Sequence, residues 1–294
     1  MSGYAVPYES PTTTPTKTAD GYYDITPSGG GIELRYEVIQ ESVDGNEGKL
    51  AVIAKNYAQD VPAYGIMGSL YIPAGFEWTE NSEQKKYAVT KISSRAFWKC
   101  VITHVTFADD SKVDTIDSYA FYECMGLSKI SLENTGEGVF PTSLKAIGAH
   151  AFVGTKLGGD INISGSIEHI GPAFQGTQIS SLLIRKQEGG ALEILADAFA
   201  DCGSLTLVGI EAVGGTSVSI KSGAFVRSAP NGNGVSSSLT LFDVSVEEGA
   251  FTGSNFTQLV FEGHKDVAIA VKAGTFSGLS KVVSADFAGN ILFK

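Results

Sequence analysis

One pattern of apolar and polar positions recurs along most of the chain. An aliphatic residue is followed by polar residues, an Ala-Phe pair, a small residue and an apolar run, with Thr in place of Ala only in the last copy. The phenylalanines of successive copies are 22 to 31 residues apart. They are Phe97, Phe121, Phe152, Phe174, Phe199, Phe225, Phe251 and Phe276. Self-similarity at this period is typical of a mainly β solenoid, in which each unit buries its apolar face by stacking on its neighbours.

The apolar run after each phenylalanine predicts a half-buried strand. In residues 127–132, 179–184 and 256–261, apolar side chains recur at i, i+3 and i+5. The last two of these alternate about one outward residue, as on a strand with one buried face. Eight such strands stacked in parallel predict a main sheet about 34 Å long, at about 4.8 Å between neighbours.

The aliphatic pair before each phenylalanine divides the array into two halves. In the first four copies the pair is spaced by three, as in Leu144 and Ile147, whereas from the fifth copy on it is spaced by two, as in Leu192 and Ile194. A spacing of two is strand alternation. We therefore predict a regular second sheet in the C-terminal half and a more irregular return path in the N-terminal half.

Three regions follow from these patterns. Residues 1–19 are rich in Pro and Thr and predict a flexible tether. Residues 20–88 lack the repeat but contain strand-like runs, and we expect them to form a β-rich N-terminal cap. Residues 89–294 form the array, in which the final run 285–293 is expected to act as a short C-terminal cap. Two turn-rich insertions, 133–138 and 229–234, predict surface loops.

The repeat resembles a known family. Residues 116–127 read Ile-Asp-Ser-Tyr-Ala-Phe-Tyr-Glu-Cys-Met-Gly-Leu, residues 70–73 read Leu-Tyr-Ile-Pro, and residues 87–92 read Tyr-Ala-Val-Thr-Lys-Ile. These segments are similar to the BspA-type leucine-rich repeats of bacterial surface proteins, over about residues 89–283. The resemblance implies a right-handed leucine-rich-repeat solenoid of about eight coils. It also implies an extracellular or cell-surface location after removal of a signal peptide, and a binding or adhesion role towards a host or bacterial protein or glycan.

Charge and hydropathy exclude some partners. The chain of 294 residues has 21 basic and 32 acidic residues, a net charge of -11. This balance argues against nucleic acid or an anionic membrane as a non-specific partner. Its apolar runs are far shorter than the roughly 20 residues that cross a bilayer, so we expect no membrane insertion. Composition gives no indication of the oligomeric state.

The cysteines follow the repeat. Cys100, Cys124 and Cys202 each lie three residues after a repeat phenylalanine, where the other copies have Thr or Ser, except for Leu279 in the last. The position therefore requires a small, weakly polar residue, which a buried thiol satisfies. Stacked coils would also bring Cys100 and Cys124 within disulfide range, so buried thiols and one bridge both remain open.

Catalytic and metal-binding patterns are weak. The four histidines lack a second ligand at zinc-site spacing; they are His104, His150, His169 and His264. The aspartates between the first two copies are expected to form a solvated acidic edge; they are Asp109, Asp110, Asp114 and Asp117. The sequence has no nucleophile elbow. We therefore expect no catalytic residues, no metal and no cofactor, and a protein that is not an enzyme.

Two exposed-looking aromatics are the ligand-binding candidates. Trp98 and Tyr122 occupy the same position, directly after the phenylalanine, in adjacent copies. They could form a stacking surface for sugar rings or an apolar partner, or they could pack against the N-terminal cap.

Two other functions remain as alternatives to a binding module. The array could be a structural spacer of the cell envelope with no binding face. It could also be an enzyme with a site at the junction of cap and array, which predicts carboxylates with perturbed pKa values near residues 77–83.

Overall fold

The computed structural model describes residues 10–26, 32–43, 46–54, 66–232, 234–264 and 268–294. These residues form strands joined by turns, and no helix occurs among them. Six strands precede the first repeat phenylalanine: β1 (Tyr23–Ile25), β2 (Leu34–Gln40), β3 (Gly48–Ile53), β4 (Met67–Ile72), β5 (Gly75–Glu80) and β6 (Glu83–Ile92). The strands of the array are β7 (Val101–Phe107), β8 (Thr115–Ile116), β9 (Lys129–Leu132), β10 (Gly136–Glu137), β11 (Ala146–Ile147), β12 (Gly158–Gly165), β13 (His169–Ile170), β14 (Gln178–Lys186), β15 (Ala191–Ile194), β16 (Leu207–Ala212), β17 (Ser217–Ile220), β18 (Ser238–Phe242), β19 (Val244–Val246), β20 (Gln258–Glu262), β21 (Ile269–Val271), β22 (Ser284–Ala288) and β23 (Ile291–Phe293).

The strands before the phenylalanines belong to one sheet that also contains most of the N-terminal region. Its order is β1-β2-β3-β6-β8-β11-β13-β15-β17-β19, with β5 antiparallel to β6. From β6 to β19 the pairing is parallel and places one aliphatic residue of each coil opposite the next. These residues are Ile92, Ile116, Ile147, Ile170, Ile194, Ile220 and Val246. The predicted cap region and the array therefore share a continuous sheet and core.

The two halves of the array differ in this second sheet as predicted. The strands β8, β11 and β13 are two residues long. In the C-terminal half, β15 and β17 have four residues and β19 has three, while β21, also of three residues, pairs with β23 outside this sheet. Aliphatic residues spaced by two allow both members of the pair to point inward from one strand. The prediction of a more regular sheet in the C-terminal half is confirmed.

Every repeat phenylalanine is followed by a strand, but these eight strands do not form the single main sheet that the sequence predicts. Four strands pair in the order β10-β9-β7-β4, and six pair in the order β12-β14-β16-β18-β20-β22. The prediction of one uninterrupted sheet is therefore wrong. The break lies between β9 and β12, where the longest spacing between phenylalanines occurs.

The first insertion causes this break. Its end turns back as β10, antiparallel to β9, and Val139 then bridges to Asn162 of β12. Gly138 donates to the carbonyl of Ile130 at 2.6 Å and accepts from Asn162 at 2.7 Å, so the inserted chain stands between the two sheets. Only glycine fits there, because its φ is +82° and an added Cβ would overlap the carbonyl oxygen of Asp160. The exposed part, residues 133–137, is the surface loop that the sequence predicts.

The repeat phenylalanines form a continuous stack inside the array. Consecutive ring centroids lie 5.0 to 6.5 Å apart, with planes within 25° of parallel. All but the last ring are buried. Phe140, from the insertion, is also fully buried and meets Phe152 and Phe174 edge-on at 5.8 and 6.2 Å. A residue outside the repeat pattern therefore contributes to the core.

The small residue three positions after the phenylalanine has a hydrogen-bonding role in the inner copies. The Sγ of Cys124 and the Oγ of Ser228 donate to the phenylalanine carbonyl of the preceding coil, at 2.9 and 2.5 Å. Thr155 donates instead to the carbonyl of Phe152 in its own coil, at 2.7 Å. All three cysteines are thiols, so the bridge between Cys100 and Cys124 is not formed.

Both ends of the described chain pair with neighbouring parts of the fold. Residues 10–19 lie against the N-terminal strands, since the amide of Thr12 donates to the carbonyl of Thr26 and Lys17 pairs with Glu41 at 2.6 Å. The rest of the predicted tether, residues 1–9, lies outside the described residues. The run 285–293 supplies β22, in parallel register with β20, and β23, paired with β21. It extends the strand pattern, and its Phe293 is 63% exposed.

Candidate binding surface

One turn position has a left-handed backbone in seven of the eight coils; the fourth coil has Pro172 there. It lies two residues before the repeat phenylalanine, and in the sixth, seventh and eighth copies it is occupied by a glycine with φ of 78° to 87°. In the first three copies the same conformation is imposed on Arg95, Tyr119 and His150, with φ of 57° to 61°. Left-handed backbone costs an L-residue about 1 to 2 kcal/mol, and an aromatic or arginine side chain gains nothing locally in return. These three side chains are therefore retained against a backbone preference.

These residues form a cluster with the two sequence candidates. The ring of Tyr119 lies 5.0 Å from that of His150 and 5.3 Å from that of Tyr122. The guanidinium of Arg95 lies 5.6 Å from the centre of the Tyr119 ring and 6.0 Å from that of Trp98. The stacking of coils brings these five side chains, and Lys99 beside Trp98, to one edge of the array. We call this surface the aromatic corner; it consists of Arg95, Trp98, Lys99, Tyr119, Tyr122 and His150.

Lys99 and Glu123 add an ion pair to the corner. The ammonium of Lys99 lies 4.9 Å from the centre of the Trp98 ring and 3.2 Å from the Glu123 carboxylate. A hydrogen bond to Glu123 raises the pKa of the Tyr122 hydroxyl, so that hydroxyl is a protonated donor at neutral pH. Arg95 is exposed and the rings are half-buried, so the corner presents aromatic surface and positive charge to solvent.

The structure brings the predicted candidates Trp98 and Tyr122 to this corner. Among the described residues, the ring contacts of Trp98 are with Arg95 and Lys99, and those of Tyr122 are with Tyr119 and His150. These contacts lie within the array and give no support to the alternative of packing against the N-terminal cap. Sequence reasoning missed Arg95 and Tyr119, although aligning the position two residues before each phenylalanine would have shown side chains where later copies have glycine.

The other predicted chemical clusters are used structurally. Asp109 accepts hydrogen bonds from the amide and side chain of Asn134, at 2.9 and 2.6 Å, which hold the insertion and lower the pKa of Asp109. Asp117 pairs with Lys91 at 2.8 Å. Near the cap junction, a hydrogen bond from Lys85 lowers the pKa of Glu83, opposite to the direction that a general acid requires. In the part of the chain that the structure describes, no three His, Cys, Asp or Glu side chains group as metal ligands.

Two clefts lie in the C-terminal half. One of about 360 Å³ is bordered by the second insertion and includes Asn231, Asn255 and Lys281. The other, of about 510 Å³, lies on the second sheet and includes Ser217, Ser245 and other small polar residues. Neither cleft is lined by a Trp, Tyr or Phe ring, so neither offers the stacking surface of the aromatic corner.

Comparison with known proteins finds a family whose repeats match part of the array. A model of the BspA-type leucine-rich repeat region matches residues 136–244 in six copies. This central part of the array consists of BspA-type leucine-rich repeats. No curated protein matches the chain. The described residues also contain no helix with the length and apolarity needed to cross a bilayer.

Solved structures of leucine-rich proteins also match the BspA-type array at low identity. A leucine-rich cell surface protein from Faecalibacterium prausnitzii is 14% identical, with a TM-score of 0.30, and the match covers 86% of this chain and 93% of that one. A leucine-rich repeat protein from Bacteroides ovatus is 14% identical, with a TM-score of 0.29 and coverage of 89% and 77%. The pneumococcal vaccine antigen PcpA is 16% identical, with a TM-score of 0.37 and coverage of 88% and 69%. At these TM-scores the three likenesses decide nothing about the ligand of this chain.

Proposed function

We propose that this chain is a non-enzymatic binding or adhesion module of a bacterial cell surface, and that the aromatic corner is its binding face. The observation that carries the proposal is the identity of the left-handed residues in the first three copies. Glycine fills this position in later copies without loss of the coil, so the side chains of Arg95, Tyr119 and His150 are not needed for the turn. Left-handed backbone also occurs at Asp197, Asp201 and Arg227, so the support for the corner is that such residues stand in three adjacent coils and their side chains contact one another.

The chemistry of the corner suits recognition of a protein or glycan. Half-buried tyrosine and tryptophan rings supply apolar contact area with few rotatable bonds. The surface is rigid, because the backbone on which it stands is hydrogen-bonded to the next coil on both sides of each phenylalanine. Binding therefore requires little ordering of the protein.

A cell-surface or secreted location is the part of the proposal that rests on the family. BspA-type repeats are the scaffold of bacterial surface proteins that the sequence resembles, and the match over residues 136–244 supports that assignment. The absence of an enzymatic role is proposed on the same ground. The aromatic corner contains no hydrogen-bonded nucleophile and base among its six residues, and these are what a catalytic site would need.

An array of glycans and extracellular-matrix proteins tests the binding role. We expect saturable binding by the native chain and loss of it in the double variant Trp98→Ala/Tyr122→Ala. Thr252→Ala is the matched control, since Thr252 directly follows a repeat phenylalanine in the seventh copy and is exposed. The control should bind as the native chain does.

Thermal melting distinguishes binding from packing. Because the ring contacts of Trp98 and Tyr122, and the hydrogen bond of Tyr122 to Glu123, are with residues of the array, the double variant should melt within about 3 °C of the native chain. A much larger fall would show that the rings hold the cap to the array and would contradict the proposed binding face. If the native chain bound none of the glycans and matrix proteins, the alternative of a structural spacer would be favoured.

A further inference from the structure

Arg95 differs from the other arginines of the chain. Four arginines occur in the sequence, and three of them bond a carboxylate at 2.6 to 2.8 Å. These three are Arg35, Arg185 and Arg227. Arg95 makes no ion pair with any residue that the structure describes, and its guanidinium lies instead over the rings of Trp98 and Tyr119. One exposed positive charge is thus held among aromatic rings without a counter-ion from the described part of the chain.

The acidic groups around Arg95 are already engaged. Glu123 is paired with Lys99 at 3.2 Å and Asp117 with Lys91 at 2.8 Å. Within each pair the two charges cancel, which leaves the Arg95 guanidinium as the unbalanced charge of the corner. In a chain of net charge -11, a local excess of positive charge favours an anionic group at this place over the rest of the surface.

The backbone of the corner offers nothing to a peptide strand. The amides of Arg95, Phe97 and Lys99 donate to carbonyls of the next coil at 3.3, 2.8 and 2.8 Å. Strand addition, in which main-chain hydrogen bonds supply the affinity for an extended peptide, is therefore blocked. A ligand meets only side chains, namely flat aromatic faces and a planar cationic fork.

Given the binding role proposed above, we infer that the aromatic corner binds a glycan whose sugar rings carry carboxylates. The apolar C–H face of a pyranose packs on the rings of Trp98 and Tyr122, and the carboxylate on the same sugar accepts two hydrogen bonds from the Arg95 guanidinium. The fixed geometry of the fork matches a carboxylate better than a neutral hydroxyl. The stacking faces give contact area, and the guanidinium gives the selection for acid.

The test uses a panel of uronate and sialate oligosaccharides, each paired with its own carboxyl methyl ester, measured by titration calorimetry on the full chain. The ester keeps the sugar ring and removes the charge. We expect at least one acid to bind about tenfold or more tightly than its ester, and its affinity to fall as salt is raised. A poly-glutamate peptide in the same panel presents the charge without the sugar ring.

Arg95→Asn is the diagnostic variant, because Asn tolerates the left-handed backbone while the charge and fork are lost. It should weaken binding of the acid by about tenfold or more and leave binding of the ester unchanged. Asp197→Asn is the matched control, since Asp197 has the same position and a φ of 59° in the fifth copy. Its affinity for the acid should equal that of the native chain, and both variants should melt as the native chain does.

Each result decides the inference separately from the proposed function. Equal binding of acids and esters would overturn the carboxylate requirement but leave a glycan-binding module. Binding of poly-glutamate without any oligosaccharide would overturn the glycan. If no oligosaccharide of the panel bound, the inference would be overturned. The proposed function would still stand if the native chain bound another glycan or a matrix protein saturably.

Discussion

The first three copies and the last three share one turn conformation but place different residues on it. In both groups the residue two before the phenylalanine has a left-handed backbone. The last three copies have glycine, which adopts this conformation without strain and leaves a bare turn. The first three copies have Arg95, Tyr119 and His150, whose side chains assemble into a surface. The fold thus tolerates large side chains at this turn position but does not require them.

The second sheet shows the opposite distribution. Its strands have two residues in the second to fourth copies and three or four in the fifth to seventh copies. The longer strands pair over three or four residues, which fits a supporting role. The N-terminal half has the inserted chain of residues 136–140 and the aromatic corner. Regular scaffold and specialised surface therefore occupy different parts of one solenoid.

The largest effect is expected from the phenylalanine stack. Phe152 is fully buried and contacts Phe121, Phe174 and Phe140, so Phe152→Ala should lower the free energy of unfolding by about 3 to 5 kcal/mol. Phe276, the last ring, is only half-buried, and Phe276→Ala should cost clearly less. Urea denaturation measures both. Equal losses would contradict the view that the end of the array is less tightly packed than its middle.

The repeat itself shows why the stack was predictable and the break was not. Phe152 recurs at a fixed place in every copy, so its burial follows from the period alone. Phe140 and Gly138 occur once, and their place between β9 and β12 depends on which backbone groups the neighbouring strands leave unpaired. That information is absent from any periodic pattern.

The aromatic corner was half predictable for a related reason. Trp98 and Tyr122 share a repeat position, which identified them as a pair. Arg95 and Tyr119 became neighbours of these rings only when the left-handed turn was known, because an ordinary turn would aim the two side chains elsewhere. The backbone conformation at one position thus determined which residues form the surface.

The thiol-bearing and hydroxyl-bearing copies should differ in their response to alkali. Burial raises the pKa of Cys202 from 9.0 to about 11, so the folded state disfavours the thiolate. This contribution to stability is complete below pH 9 and is lost as the pH rises towards 11, a change of roughly 2 kcal/mol. Cys202→Ser should remove it. Urea midpoints of both proteins between pH 8 and 11 measure the difference, and parallel curves would contradict the prediction.

The hydroxyls at the same repeat position contribute to stability through their hydrogen bonds. Ser228 donates to the carbonyl of Phe199, and Ser228→Ala leaves that buried carbonyl without this donor. We expect a loss of about 1 to 3 kcal/mol in urea denaturation. Cys124→Ser, the matched change in the N-terminal half, exchanges a weak donor for a stronger one to the carbonyl of Phe97 and should stay within about 1 kcal/mol of the native chain. A larger loss there would show that the first copies need the volume of sulfur at this position.

The smallest effect is expected from the charged ladder of the C-terminal half. Lys221 lies between Glu193 of the preceding copy and Glu247 of the following copy, at 3.0 and 3.3 Å. Both carboxylates and the ammonium are partly exposed, so water and salt screen the pairs, and Lys221→Met should cost less than about 1 kcal/mol. Urea denaturation at low and high salt measures this cost, which should shrink as salt rises. A loss several times larger would mean that ion pairs rather than the longer strands hold the C-terminal coils together, and the division between scaffold and surface would then need a different physical basis.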